Sequence, residues 1–199
     1  MDKDDNNFKR LNWSYEDILS VSVDYLLETV TILGNKSELN HLDNNSSIYM
    51  IESDRVLKSQ FIKLMKQLGL NIRYHSVFLV VPPHTVGVTH TDTYYDELCN
   101  VSLHFDLNQV GQLEFFHSDV KGERSIANGT DYNFINDDIA SNFEPVEYMP
   151  PQRTISIVRT NKPHRAVNNS DKFRVVLTCR FENNPTFEHV ASKLKKFIQ

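Results

Sequence analysis

Four His-x-Asp pairs punctuate this chain: His41/Asp43, His90/Asp92, His104/Asp106 and His117/Asp119. On a β-strand, residues two apart share one face, so an imidazole and a carboxylate at this spacing can reach one metal ion. A second His from another strand completes a set of two His and one carboxylate. That set leaves positions open on iron(II) for a co-substrate and dioxygen. Taken alone, His-x-Asp is a weak signal, because surface and turn pairs are commoner. Strand context ranks the four. His41/Asp43 lies in the polar run NKSELNHLDNNSSI, which has no strand pattern. His117/Asp119 ends a strand and meets Lys121-Gly122-Glu123, which reads as an exposed turn. His104/Asp106 belongs to the alternating NVSLHFDL but leaves few strands before the next His. His90/Asp92 follows an apolar run with several strands still to come. It is favoured, with His104/Asp106 as the alternative.

The distal ligand is sought in the stretch Met149 to Phe181, which reads as strand, turn, strand. Ile155 and Ile157 mark the first strand, Asn161-Lys162-Pro163 breaks it, and His164 follows at once. Asn168-Asn169-Ser170-Asp171 makes a second turn. From Phe173 onward the period is two: Phe173, Val175, Leu177, Cys179 and Phe181 on one face, and Arg174, Val176, Thr178 and Arg180 on the other. An inward Arg on a strand is costly unless an anion pairs with it. Guanidinium grips a carboxylate with two parallel bonds. His164 and Arg174 are therefore a pair that can hold a metal and an organic acid side by side; the alternative is that Arg174 faces solvent or pairs with an acidic side chain. Arg180 shares the face of Arg174 and could be a second anion contact, but it lies nearer the strand end, where a rim or surface position is expected.

The surrounding elements must position these groups. Polar residues 1–12 read as frayed. Ser14, with Asp17 three residues on, caps a helix that runs to Gly34. Residues 35–48 read as loop, and Asp54 caps a second helix that stops at Gly69. From Asn71 short strands follow one another: Tyr74–Val81, Val86–Thr93, Asn100–Leu107, and Gln112–Phe116 pairing back across the turn Asn108–Gly111. An Asn128-Gly129 turn and an irregular acidic segment lead to the strands above. Phe187–Ile198 reads as a closing amphipathic helix. The fold class is α+β, mainly β: a jelly roll or cupin-like barrel (a double-stranded β-helix) with N-terminal helices and a short C-terminal helix. The expected organisation is one domain over residues 1–199, with a helical part at 1–69, the jelly-roll core at 70–182 and the C-terminal helix at 183–199.

A formal net charge of −5 argues against duplex nucleic acid held by phosphate neutralisation. No apolar run approaches the ~18 residues of a membrane span, and MDKDDNNFKR is not a signal peptide. The two cysteines, Cys99 and Cys179, make no disulfide framework, so a reducing, cytoplasmic setting is expected.

On HTD at 90–92, SLHFDL at 102–107, VGQLEFF at 110–116 and PHRAVNNSDKFRVVL at 163–177, the chain resembles the iron(II)/2-oxoglutarate-dependent oxygenases. Within them it is most similar to the aspartyl/asparaginyl β-hydroxylase-type group, which includes proline hydroxylases. The resemblance covers residues 70–185. It implies His90, Asp92 and His164 as iron ligands, Arg174 as partner of the distal carboxylate of 2-oxoglutarate, and His104 as a further co-substrate contact. Ser102 stands at a position often basic in that group. The implied reaction hydroxylates an unactivated C–H bond of a small molecule, amino acid or peptide side chain, with release of succinate and CO2. Tyr74, His75, His84, Tyr94 and Tyr95 are candidates for the substrate pocket, although packing or surface roles are commoner for each. Two other readings share the fold: a non-catalytic cupin-like binding module, and a metal-dependent cupin enzyme without co-substrate.

Overall fold

The structure is a computed structural model. It describes residues 6–35, 40–41, 47–94, 97–117, 123–127, 130–135, 144–150, 152 and 154–199. Its strands in chain order are β1 (Phe8–Leu11), β2 (Asn40–His41), β3 (Ser47–Glu52), β4 (Ile72–Val81), β5 (Thr85–Val86), β6 (His90–Tyr94), β7 (Glu97–Leu98), β8 (Val101–Asp106), β9 (Gln112–Phe115), β10 (Glu123–Ala127), β11 (Thr130–Phe134), β12 (Glu147–Met149), β13 (Ile155–Arg159), β14 (His164–Asn168) and β15 (Arg174–Phe181). The helices are α1 (Tyr15–Ile18), α2 (Val23–Asn35), α3 (Ser53–Val56), α4 (Ser59–Gln67) and α5 (Phe187–Lys193). Among the described residues, no helix is long and apolar enough to cross a membrane.

Two antiparallel sheets face each other. One runs β1-β13-β8-β15-β4-β3-β2; the other runs β10-β11-β6-β14-β9-β12, with β5 on β14 and β7 on β6. Alternation on β15 decides which side each residue faces. Val175, Leu177, Cys179 and Phe181 join the large core beneath the helices, together with Leu103, Phe105, Ile155 and Ile157 of the neighbouring strands. The opposite faces meet in a smaller apolar cluster of Val81, Val158, Leu113, Phe115, Met149 and Ala166, contributed by both sheets. Arg174, Thr178 and Arg180 share the inward side of β15, as the alternation requires. This is the mainly-β jelly roll expected from the sequence.

Several local expectations yield to tertiary pairing. Phe8–Leu11 is not frayed; it adds β1 to the edge strand β13. Within the expected loop 35–48, residues 40–41 and 47–48 are strand: Asn40–His41 pairs with β3, and Ser47–Glu52 pairs along β4. The strands from the first 69 residues thus extend the seven-stranded sheet. The first helix starts where Ser14 Oγ accepts from Asp17 N at 3.1 Å, but it stops at Ile18. There Leu19 bridges Leu57 and Ser20 N donates to Val56 O at 2.9 Å. The same contact splits the second helix into α3 and α4. Bonds between segments outweigh the weak intrinsic preference for continuing either helix. Gly69, at φ +75°, then closes α4 in the left-handed conformation expected of a helix stop.

β9 corrects the hairpin expectation most sharply. It pairs with β14 and β12, not with β8. The turn after β8 therefore crosses from one sheet to the other. Gly111 carries that crossing at φ +69°. A Cβ there would lie 2.5 Å from Arg174 Cδ and 2.6 Å from Val167 O. We expect Gly111→Ala to lower unfolding free energy by about 2–4 kcal/mol, combining left-handed strain with overpacking. Urea denaturation checks this, and an unchanged midpoint contradicts it. His164 also departs from expectation, since it opens a strand of its own, β14, in the sheet opposite β13 and β15. The Asn128-Gly129 turn lies outside the described residues.

Candidate metal centre

β6 and β14 are antiparallel neighbours, and their register sets His90 directly opposite His164. The two rings have centroids 4.6 Å apart. Asp92, two residues beyond His90, returns to the same face, and its N donates to Thr160 O at 3.0 Å. One ligand atom from each of His90, Asp92 and His164 lies within 4.8 Å of the others. Asp92 Oδ1 is 3.6 Å from His90 Nε2 and 4.0 Å from His164 Nε2.

Backbone carbonyls fix both imidazoles. His90 Nδ1 donates to Val88 O at 2.9 Å and His164 Nδ1 to Lys162 O at 2.8 Å. A carbonyl can only accept, so each ring carries its proton on Nδ1 and turns Nε2 toward Asp92. This is the tautomer a metal-binding imidazole needs. Burial, and then neighbouring His90, push the His164 pKa down to about 4. His164 is thus neutral and ready to donate a lone pair at neutral pH. The donor set of two imidazole nitrogens and one carboxylate oxygen suits a divalent first-row metal such as iron(II).

Arg180 completes the arrangement. Its Nη2 donates to Asp92 Oδ2 at 3.1 Å, and both side chains are nearly buried. Burial alone would raise the Asp92 carboxyl. Arg180 foremost, then His164 and His90, hold it below its ordinary value. One carboxylate oxygen therefore faces the imidazoles while the other is held by guanidinium. The expectation of a rim position for Arg180 is corrected, because it lines the cleft with His90, Asp92, His104 and His164. We expect Arg180→Gln to weaken metal affinity by about 10- to 100-fold, the usual effect of removing a partner that orients a ligand. Competition against a metal indicator measures this, and an unaltered affinity refutes the role.

His104 reaches the same cleft from β8. Its Nε2 lies 2.9 Å from Ser102 Oγ, while its buried Nδ1 has no partner among the described residues. Burial, followed by the charge of Arg174, lowers its pKa to about 3, so it is neutral. Arg174 is 1% exposed. Its Nη2 donates to Asp106 Oδ1 at 3.1 Å, whereas Nε and Nη1 have no partner among the described residues. Three buried donor or acceptor atoms without partners, on two side chains of the inward face, suit a polar ligand such as a small organic acid.

The remaining candidates disperse. Asp106 pairs with Arg174 and is not part of the metal group, which removes His104/Asp106 as the alternative. Asp43 and Asp119 lie outside the described residues, as do Tyr95 and the side chain of Tyr94. Tyr74 is 60% exposed and donates to Glu52. His75 is exposed and packs edge-on against Tyr74. His84 is exposed beside Asp171. None of these three lines the cleft.

No protein-family model matches the chain, and no curated protein matches it in sequence. In fold it is similar to a prolyl-4-hydroxylase from Pseudomonas putida, with TM-score 0.51 and 19% identity, covering 87% of this chain and 90% of that one. Fainter likenesses are to Bacillus subtilis oxalate decarboxylase (TM-score 0.39, 13% identity, 75% of this chain and 29% of that chain) and to a vicilin from Solanum melongena (TM-score 0.38, 10% identity, 77% and 32%). The chain thus spans under a third of either of those two. The prolyl-4-hydroxylase likeness is one of fold, and the His-Asp-His group matches the two-His, one-carboxylate pattern.

Proposed function

We propose that this chain is an iron(II)- and 2-oxoglutarate-dependent dioxygenase. It hydroxylates an unactivated C–H bond of a small molecule, amino acid or peptide side chain and releases succinate and CO2. The observation that carries the reading is the convergence of His90, Asp92 and His164 on one point inside the barrel. When bound, iron and 2-oxoglutarate supply the oxidising chemistry.

The protein's part is to bind and orient. His90 and His164 offer Nε2 because their Nδ1 protons are engaged by backbone. Asp92 offers Oδ1 because Arg180 holds Oδ2. His104 and Arg174 are the proposed contacts of the co-substrate, and their partnerless atoms favour those roles. The cleft has a cavity volume of about 50 Å³, well under the few hundred Å³ of drug-sized ligand sites. Apolar Leu79, Leu113 and Ala166 on its walls limit water around the reacting groups. We take the chain to work as one domain, and its buried free Cys99 and Cys179 suit a reducing, cytoplasmic setting.

Incubation with iron(II), ascorbate, 2-oxoglutarate and air tests the proposal. Succinate forms slowly even without the true substrate, and the His90→Ala variant forms none. Absence of succinate from folded, metal-loaded protein moves the assignment to a binding module.

A further inference from the structure

Asp106 stands where an incoming acid would expect an open guanidinium. Arg174 and Asp106 lie on neighbouring strands β15 and β8, on the face turned into the barrel. Their side chains are 1% and 7% exposed. Guanidinium offers two two-point forks to a carboxylate, Nε with Nη2 and Nη1 with Nη2. Nη2 gives one N–H to each, and Nη2 bonds Asp106 Oδ1, so one fork is engaged and the other stays open. Arg174 is held close over Gly111, its Cδ 2.5 Å from where a Cβ would stand there.

Resting on the co-substrate reading above, we infer that Asp106 is a specificity-determining residue for the 2-oxo acid. It engages one fork of Arg174 and meets a distal carboxylate at the other with like charge. The chain therefore binds 2-oxo acids mainly through their chelating end and discriminates weakly by their tail. A carboxylate tail can still take the open fork, but only beside the Asp106 carboxylate. Specificity here is lowered by a repulsive group placed beside an attractive one.

Calorimetric titration of the Mn(II)-loaded protein, which does not turn over, measures this with two probes. 2-Oxoglutarate and 2-oxopentanoate chelate identically and differ in tail charge. We expect the parent to favour 2-oxoglutarate by less than about tenfold, and Asp106→Asn to widen that preference by at least about tenfold, the scale of a like-charge contact at low effective dielectric. A strong preference in the parent overturns the inference without recourse to any variant. So does an Asp106→Asn protein that folds and shows an unchanged or smaller ratio, which makes Asp106 a support for Arg174 instead. If metal binds but neither acid does, in parent or variant, the co-substrate reading fails and this inference falls with it. Binding of both acids with an unshifted ratio overturns this inference alone.

Discussion

His164→Ala is expected to abolish stable metal uptake and, with it, all 2-oxoglutarate consumption. Replacing a group that merely orients a ligand costs roughly 10- to 100-fold in affinity, so losing a ligand itself costs more than about 100-fold. The side chain is 4% exposed, and the Phe115 ring centroid lies 6.0 Å away. The barrel keeps its sheets, and circular dichroism shows this independently. A folded variant that retains parental metal affinity removes His164 from the ligand set.

Arg174→Met is expected to cost about 3–5 kcal/mol of stability, because it leaves the Asp106 carboxylate buried without its partner. The reasoning turns on an asymmetry. Removing one member of a buried ion pair is severe, whereas replacing both by apolar groups of similar volume is often neutral. Arg174→Met combined with Asp106→Leu should therefore recover most of the loss. Chemical denaturation of the two variants decides this. A single variant as stable as the parent contradicts the buried pair. Metal uptake survives in both, since neither residue belongs to the His90, Asp92 and His164 group.

Some of this architecture was readable because it is local. The alternation from Arg174 to Phe181 separates a polar inward face from an apolar one, and that division holds in the structure. His90 and Asp92 share a face for the same reason. The short strands Phe8–Leu11 and His164–Asn168 were not readable. FKRL is half charged, and HRAVN follows a proline turn. Each is a strand only because a distant partner supplies its hydrogen bonds. The pairing of Gln112–Phe115 with β14 rather than β8 is a choice between sheets, and local alternation contains no information about it. The Arg180–Asp92 contact spans 88 residues. Alternation puts Arg180 on the inward face, but its place near the strand end points to the rim, and nothing near it in sequence names its partner. Asp106 was weighed as a metal ligand, and only the fold sets it against Arg174.

Anaerobic titration of the purified protein with iron(II) and then 2-oxoglutarate is the most direct measurement. Chelation of the metal by the 2-oxo acid produces a weak visible charge-transfer band. The parent develops this band and His164→Ala does not. A folded parent that takes up iron yet shows no band on adding 2-oxoglutarate contradicts the proposed function at its centre.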